Sequence, residues 1–288
     1  MVIFVGPGVA SAIRNQFGAV TGALSNGISK GDWEAGGSGT GSGMTSDADI
    51  YDPVNGTAFA VYSEDDRSLM FYKRRGVPAV GNMFNYRRVT EVYTGFEDNC
   101  FKSVNDCFNT GSIDNGDTDC PWYARHNDIR KVLVVDEGIK PKWTQFWFQG
   151  FRTMTDCDIS KLDMTENRNL THMFWRCENL ENLNVSCRNI NFEGSLNSVF
   201  THCHRLKLID LSSWKAKPTT IRWQFAYCTD LTEIRLGDFD FSNCSDAYCT
   251  FYESGNVIID CSDWNMPSVA EHHMFAYNAP GVTKPSVW

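Results

Sequence analysis

The chain has 288 residues, which suits one long domain or two small ones. Its 35 acidic residues outnumber the 26 Lys and Arg residues, and the basic residues are scattered, so a nucleic-acid-binding surface is not expected. Apolar residues make up 42% of the sequence but form no continuous run of the length that a bilayer requires, so the sequence predicts no membrane span.

The first predicted element is a short helix near the N-terminus. Its apolar residues recur at steps of three or four: Val9, Ile13, Phe17, Val20, Leu24 and Ile28. Glycines within this stripe weaken an isolated helix, so the stripe needs a partner. We therefore predict that residues 1–35 form a helical segment that anchors the chain, by self-association or by attachment to a virion.

A Gly/Ser-rich linker follows at residues 36–49, where the sequence GGSGTGSG is typical of a flexible tether. Met44 stands directly after this tether, so a fused segment of 43 residues is a second interpretation of the N-terminal region. Gly6, Pro7 and Arg14 interrupt the apolar N-terminal sequence, and we expect no secretory signal peptide.

Residues 50–140 are β-like and are predicted to form a capping subdomain. Residues 58–63 and 68–73 flank the polar turn EDDR and predict a hairpin. Two more strands are expected at residues 89–94 and 131–135. Repeat arrays need a cover on their terminal unit, which is the role expected for this region.

Six phenylalanines recur at intervals of 24 to 26 residues in the C-terminal half. They are Phe148, Phe174, Phe200, Phe225, Phe251 and Phe275. A period of this length indicates stacked supersecondary units, none of which buries its apolar face without its neighbours. Residues 141–288 are therefore predicted to form a solenoid of about six coils.

Other positions repeat in step with the phenylalanines. Three residues after them come Phe151, Cys177, Cys203, Cys228 and Ser254, and six residues after them come Met154, Leu180, Leu206, Leu231 and Val257. Pairs such as Leu183 with Val185 then alternate apolar and other residues, which is typical of a strand with one buried face.

The segments MFWRCENLENLNV (173–185), VFTHCHRLKLIDLSSW (199–214) and QFAYCTDLTEIRL (224–236) resemble the BspA-like branch of the leucine-rich repeats. The frame of that family is M-F-x-x-C-x-x-L-x-x-L-x-L-S-x-W. The resemblance implies a leucine-rich-repeat-like solenoid, rich in β-structure with short helical or turn segments, in a surface-displayed adhesive protein without enzymatic activity. Arg188 departs from the frame because an aromatic residue is expected at that corner.

The eleven cysteines are interpreted mainly as buried thiols. Cys177, Cys203 and Cys228 share one position of the repeat and are predicted to lie one above another in the interior. Two pairings of the remaining cysteines stay open, Cys100 with Cys107 and Cys244 with Cys249. The odd total and the interior positions favour synthesis in a reducing compartment.

No catalytic constellation, metal site or cofactor site is predicted. The six histidines lie in no known catalytic signature, and they are interpreted as solvated surface residues. His202 and His204 flank a core cysteine, so a zinc site there is disfavoured. Asp114, Asp117 and Asp119 lack the spacing of the helix-loop-helix calcium loop and are interpreted as an acidic turn.

Positions that flank the phenylalanines vary from coil to coil and favour Trp, Tyr, His and Arg, which are common at binding hot spots. The candidate ligand-binding residues are Trp175, Arg176, His202, Trp223, Tyr227, Tyr252, His272 and Tyr277. We predict that they form an exposed aromatic stripe for a protein or glycan. The alternative is that Trp175 and Trp223 turn inward and fill corners.

The predicted function is recognition or adhesion at a surface, without catalysis. A virion fibre or decoration protein of a phage, binding a host cell-surface protein or glycan, agrees with both the expected free thiols and the expected lack of a signal peptide. A bacterial cell-surface adhesin of the BspA-like type is the alternative, as is a purely structural component of a capsid or cell wall.

Overall fold

The computed structural model describes residues 46–102 and 118–288, and these residues belong to a single compact unit. Several predicted features lie outside the described residues: the apolar stripe at Val9, Ile13, Phe17, Val20 and Leu24, the GGSGTGSG tether, Cys107, Asp114 and Asp117.

The described chain is a β-solenoid of about six coils with a β-rich cap at its N-terminal end, as the repeat predicts. Within residues 46–102 and 118–288, helix is limited to two short 3-10 turns, Asp47–Asp49 and Tyr123–Arg125. The strands are β1 (Thr57–Ser63), β2 (Ser68–Arg74), β3 (Met83–Phe84), β4 (Arg87–Arg88), β5 (Glu91–Thr94), β6 (Lys131–Val134), β7 (Asp156–Asp158), β8 (Asn182–Asn184), β9 (Asn191–Ser195), β10 (Leu208–Thr220), β11 (Glu233–Phe239), β12 (Ile259–Asp260) and β13 (Val282–Thr283).

The cap and the first coils share one six-stranded sheet, in the order β5-β1-β2-β6-β7-β8. The predicted hairpin is present as β1 and β2, which pair antiparallel, and β2 then pairs in parallel with β6. This pairing covers the edge strand at which the solenoid would otherwise expose unpaired backbone groups. Ile129 and Val132 on the partial coil that carries β6 are fully buried, so the interior continues under the cap.

The hairpin buries side chains on both of its faces. One face contributes to the long solenoid core, where Phe71 stacks on Trp147 at 5.6 Å between ring centroids and also contacts Trp122. The other face forms a small separate core in which Phe59 packs on Tyr72. The cap is therefore held to the solenoid by a cluster of aromatic rings.

Parallel strands form the walls of the later coils. β10 lies between β9 and β11, and β12 pairs with β13 in the last coils. The predicted alternation is visible in β10, where Ile209 and Leu211 are buried while Asp210 and Ser212 are more exposed. β10 is long because it turns a corner, and its register with β11 shifts between Leu211 and Lys215.

A column of phenylalanine rings fills the interior. Successive centroids are 5.5 Å apart for Phe148–Phe174, 5.7 Å for Phe174–Phe200, 5.9 Å for Phe200–Phe225 and 5.3 Å for Phe225–Phe251. These distances lie within the range in which aromatic pairs attract one another beyond their burial of area. The predicted interior column is thus confirmed for five coils.

The repeated cysteines lie beside this column, as predicted. Each thiol donates a hydrogen bond to the phenylalanine carbonyl of the preceding coil: Cys177 to Phe148 at 3.1 Å, Cys203 to Phe174 at 3.2 Å and Cys228 to Phe200 at 3.0 Å. Ser254 takes the same place in the next coil and donates to Phe225 at 2.6 Å. In these four coils the position therefore holds a small donor, Cys or Ser, whereas the first and last coils carry Phe151 and Ala279 there.

The ten cysteines in the described part of the chain are all free. Cys244 and Cys249 are both buried and are not bonded to each other, so the pairing left open for them is wrong. A pairing of Cys100 with Cys107 stays a prediction, because Cys107 lies outside the described residues.

The sixth phenylalanine is one position out of register with the others. Phe225 donates its N–H to the carbonyl of Thr250, the residue before the next phenylalanine, whereas Phe251 donates to Phe275 itself at 2.7 Å. Phe275 therefore occupies the position before the phenylalanine position, and Ala276 fills the latter. The predicted alignment of the last coil was wrong by one residue, because it placed Phe275 at the phenylalanine position on the basis of residue type alone.

The corrected register restores the repeat in the last coil. Ala279 now falls in the cysteine position and Val282 in the leucine position, and both side chains are buried. Tyr277 becomes the counterpart of Tyr252, and their rings stack at 5.0 Å. The last interval is then 25 residues, like the others.

Within residues 46–102 and 118–288, we find no helix with the length and apolar character that a bilayer crossing requires.

Candidate functional site

One face of the solenoid is built from six short turn segments, one per coil, which we call the turn face. The segments are residues 145–150, 171–176, 197–202, 222–227, 248–253 and 273–278. Each contains the phenylalanine position, or Ala276 in the last coil, with three residues before it and two after it. Seven of the eight predicted ligand-binding residues lie on this face, and His272 lies one residue outside it.

Adjacent turn segments are joined by hydrogen bonds that all run in one direction. The N–H groups at the phenylalanine position and two residues to either side donate to carbonyls of the following coil. In the second coil the donor–acceptor pairs are His172 to Asn197, Phe174 to Val199 and Arg176 to Thr201, with N···O distances of 3.1, 2.9 and 2.9 Å. A regular parallel strand alternates its bonds between two neighbours, so this ladder is a different arrangement.

The one-way ladder depends on left-handed backbone conformations. Positive φ occurs two residues before and two residues after the phenylalanine position in every coil. The twelve residues are Phe146, Gly150, His172, Arg176, Ser198, His202, Trp223, Tyr227, Cys249, Glu253, Met274 and Asn278. Eleven of them are not glycine, and such conformations cost about 1–3 kcal/mol each and persist only where the surroundings fix them. The inter-coil bonds provide that constraint.

Six rings from four coils meet on the turn face, and we call them the aromatic patch: His202, Trp223, Tyr227, Tyr248, Tyr252 and Tyr277. The centroid distances are 4.3 Å for His202–Tyr227, 6.1 Å for Trp223–Tyr227, 5.5 Å for Trp223–Tyr248, 5.6 Å for Trp223–Tyr252, 5.3 Å for Tyr227–Tyr252 and 5.0 Å for Tyr252–Tyr277. His202 and Tyr227 occupy equivalent positions in adjacent coils, as do Tyr252 and Tyr277, and Trp223 joins these pairs and Tyr248 into one connected surface.

The patch is open to solvent at one end and partly covered elsewhere. Tyr277 is 47% exposed, and the other five rings are partly exposed. The Arg222 guanidinium lies 4.7 Å from the centroid of the Tyr248 ring and also pairs with Asp246 at 3.0 Å. Rings held in this way offer apolar contact at little cost in conformational entropy.

Three tyrosine hydroxyls of the patch, those of Tyr227, Tyr248 and Tyr252, are protonated at neutral pH. Desolvation raises the pKa of Tyr227 and of Tyr252, with the Tyr252 and Glu253 charges adding to the shift at Tyr227. A hydrogen bond with Cys249 raises the pKa of Tyr248. These hydroxyls can therefore donate hydrogen bonds to a ligand.

His202 is the most perturbed histidine of the described chain. Desolvation, followed by the charges of His204, Arg176 and Arg152, lowers its pKa to about 3. Its ring is therefore neutral and stacks flat on Tyr227 with an interplanar angle of 4°.

His202 and His204 contact each other edge to face at 5.3 Å. Over the residues that the structure covers, no group of three or more His, Cys, Asp or Glu side chains is placed to hold a metal ion.

Three predicted ligand-binding residues lie away from the patch. Trp175 is only 5% exposed, as the alternative interpretation anticipated, and the Arg176 guanidinium lies 5.3 Å from the centroid of its ring. His272 stacks on Trp288 at 4.4 Å. Trp223, for which the same inward turn was considered, is partly exposed and contacts three patch tyrosines.

Sequence reasoning missed Tyr248 as part of the patch. Tyr248 lies three residues before Phe251, and that position was not compared between coils. Its signal was present, because Arg222 and His273 occupy the same position in neighbouring coils and both contact the Tyr248 ring.

Sequence reasoning also missed a notch at the N-terminal end of the turn face. It has a volume of about 90 Å³ and is lined by Tyr123, His126, Asn127, Gly150, Arg152, Trp175 and Arg176. Gly150 lies two residues after Phe148, at the position where the following coils carry Arg176, His202 and Tyr227. We call the row of side chains at this position the outer column, and Gly150 leaves a gap in it. A glycine at a position that holds a side chain in the other coils was the sequence signal for the notch.

One family match accompanies these observations. The family described as "Mycoplasma protein of unknown function, DUF285" matches residues 144–264 and, in a second overlapping match, residues 194–288. The two matches together span residues 144–288, which is half of the chain. No curated protein and no solved structure matches this chain.

Proposed function

Because the chain belongs to the DUF285 family of Mycoplasma proteins of unknown function, we propose a function for its shared repeat: recognition of a cell-surface ligand without catalysis. The ligand, a protein or a glycan, binds the turn face of the solenoid. The aromatic patch is the observation that carries this proposal. A recognition or adhesion role also agrees with the resemblance of residues 173–236 to BspA-like surface repeats.

The chemistry of the patch supports binding more than catalysis. General acid–base groups work best with a pKa near the operating pH. Burial instead lowers the pKa of His202 to about 3 and raises the pKa of Tyr227, so neither group exchanges protons readily at neutral pH. Rigid tyrosine and tryptophan rings with protonated hydroxyls are what a binding surface needs.

The setting that we propose is a phage virion, with the solenoid displayed as a fibre or decoration protein. The thiols of Cys177, Cys203 and Cys228 act as hydrogen-bond donors, which supports folding in a reducing cytoplasm before release. A bacterial cell-surface adhesin is the alternative setting. Immunogold labelling distinguishes them, because label on the envelope of uninfected cells would contradict the virion setting.

The binding role is tested by removing two rings from the patch. The double variant Tyr227→Ala with Tyr252→Ala should weaken binding to host cells or to a glycan array by at least roughly tenfold, because such rings dominate interface energies. Tyr86→Ala is the matched control, since Tyr86 is 74% exposed and lies on the β3–β4 turn of the cap. Binding that is unchanged in the double variant would favour a structural role instead.

The anchoring role of residues 1–35 is a separate part of the proposal. Deletion of residues 1–43 should convert an oligomer into a monomer while the solenoid keeps its melting temperature. Light scattering measures the change in mass. The same mass per particle before and after deletion would contradict self-association through this segment.

A further inference from the structure

The notch at Gly150 is the strongest unassigned feature of the turn face. It lies between the first complete coil and the partial coil that precedes it, where Tyr123 and His126 stack at 4.4 Å. Its volume of about 90 Å³ is room for a few water molecules or one small polar group. The notch opens onto the outer column, which continues through Arg176 and His202 into the aromatic patch.

The notch exists because Gly150 has no side chain. A Cβ on Gly150 would lie 3.6 Å from the Tyr123 hydroxyl oxygen and 3.8 Å from its Cε2 atom, which is ordinary contact distance. The φ of +75° is no reason for glycine here, because Arg176, His202 and Tyr227 adopt φ values of 62°, 61° and 58° at the same position. The fold tolerates a side chain at this position, and the glycine leaves space for something else.

Two arginines give the notch its electrostatic character. Arg152 and Arg176 both line it, and the Glu178 carboxylate lies between them, 3.1 Å from Arg152 Nε and 3.8 Å from Arg176 Nε. Their field extends to the neighbouring coil, since both arginines contribute to the lowered pKa of His202. Because the two arginines share one glutamate, this group carries a net charge of +1 on a chain with a net charge of −9, and it attracts anions locally.

We propose that this notch is a subsite for one carboxylate of an acidic saccharide. The neighbouring sugar rings of this saccharide lie along the outer column toward the aromatic patch. The inference rests on the proposed recognition function. Guanidinium groups bind carboxylates through paired, charge-assisted hydrogen bonds, and the Tyr123 hydroxyl and Asn127 amide add neutral partners.

The outer column favours a saccharide over an acidic peptide as the ligand. Its positions repeat with the coils, at roughly 5 Å intervals, and form a row that includes the stacked rings of His202 and Tyr227. A chain of rigid sugar rings matches such a row with little loss of entropy on binding. The notch also has space for a single charged group, whereas an acidic peptide would present many.

The test compares four probes by isothermal titration calorimetry with the full chain. The probes are a sialylated trisaccharide, the same trisaccharide with its carboxylate converted to the methyl ester, acetate, and an acidic peptide. The acidic trisaccharide should bind roughly tenfold more tightly than its ester, because a charge-assisted contact is lost in the ester. Equal affinities would overturn the proposal, as would binding of acetate or the peptide without the trisaccharide.

Variants locate the effect. Arg152→Gln should weaken binding of the acidic trisaccharide roughly tenfold and leave the ester unchanged. Arg188→Gln is the matched control, because Arg188 is also an exposed arginine that pairs with a glutamate, Glu137, at 2.7 Å. Gly150→Asn fills the notch, and Asn278 shows that asparagine is accepted at this position. Unchanged preference for the acid in Arg152→Gln or Gly150→Asn would contradict the proposal.

The recognition function and the carboxylate subsite are contradicted by different results. If both trisaccharides bind equally and both lose affinity in the Tyr227→Ala and Tyr252→Ala double variant, the recognition function stands and the carboxylate subsite is wrong. If cells and arrays show no binding that depends on the patch, the recognition function itself is wrong.

Discussion

At the scale of single residues, the repeat is selected by hydrogen bonding as well as by size. The Cys203 thiol is fully buried and donates to the Phe174 carbonyl, which already accepts the N–H of Cys177. Desolvation raises the pKa of this thiol well above its usual range, so it stays protonated and can act as a donor. An apolar residue of the same volume would leave the second bond unmade.

Two substitutions at Cys203 test this explanation. Cys203→Ala removes the donor and leaves a small void, and it should lower the free energy of unfolding by about 1–2 kcal/mol. Cys203→Ser keeps a donor, as Ser254 does in its own coil, and should cost less. Urea denaturation measures both variants. A serine variant that is less stable than the alanine variant would contradict a donor role.

His202 should make stability depend on pH. Its pKa is about 3 when folded and about 6.5 when unfolded, so between these values only the unfolded chain binds the proton. The contribution of His202 is therefore complete above about pH 6.5 and is lost as the pH falls toward 3.

The variant His202→Asn removes this titration, and its melting temperature should fall less between pH 7 and pH 4 than that of the unmodified chain. His273→Asn, at an exposed histidine, is the control. Parallel decreases in all three proteins would show that His202 is not responsible.

At the scale of elements, the cap completes the solenoid through both backbone and side chains. β2 supplies a parallel neighbour for β6, and the same strand carries Phe71 into the ring cluster of Trp122 and Trp147. The Trp122 Nε1–H group also donates to the Trp147 carbonyl at 2.6 Å. A buried backbone acceptor of the first complete coil is thereby satisfied.

Loss of Phe71 should therefore damage cap and solenoid together. Phe71→Ala removes a fully buried ring from this cluster, and we expect a loss of about 3–5 kcal/mol in the free energy of unfolding. Met83→Ala, at a residue of the cap that is 63% exposed, should have almost no effect. Denaturation followed by tryptophan fluorescence reports on the cluster. A loss below about 1 kcal/mol for Phe71→Ala would contradict the coupling.

The strands and the interior column were predictable from the sequence because they depend on buried apolar residues at a fixed period. The register of the last coil was not, since the choice between Phe275 and Ala276 depends on the carbonyl that Phe251 bonds and on the positive φ of Met274 and Asn278. The left-handed positions were also hidden, because residues as different as Trp223 and Ser198 adopt them under the constraint of neighbouring coils.

Part of the candidate site was equally predictable. Rings at the same repeat position, such as His202 and Tyr227, were expected to line up, and these two stack at 4.3 Å. The burial of Trp175 and the notch at Gly150 depend on the turn of the preceding partial coil, which does not follow the repeat. A comparison of the repeated coils with one another carries no information about the partial coil, because the partial coil does not share their sequence repeat.

At the scale of the whole molecule, each coil contacts mainly the coils before and after it, so stability is close to a sum of neighbouring terms. The ends are then the weakest places. At the C-terminal end, Trp288 packs edge to face on Phe275 at 4.8 Å and stacks on His272, which covers the last ring of the interior.

Trp288→Ala should loosen the last coil and leave the first ones unchanged. Amide hydrogen exchange should become faster by roughly tenfold or more in residues 273–283, because the covering ring is lost there. Exchange in residues 145–200 should be unaltered. Val287→Ala, at a residue that is 59% exposed, is the control. Uniform acceleration along the solenoid would contradict nearest-neighbour stability.

The one-way hydrogen bonds of the turn face make its segments interchangeable. Each segment presents three amide hydrogens to the following coil and three carbonyl oxygens to the preceding one, as in the bonds from Phe174 to Val199 and from Phe200 to Gln224. A duplication or deletion of about 25 residues would therefore join matched surfaces wherever it fell between two regular coils. Gene variants could lengthen or shorten the ligand-facing surface in whole steps without building a new junction.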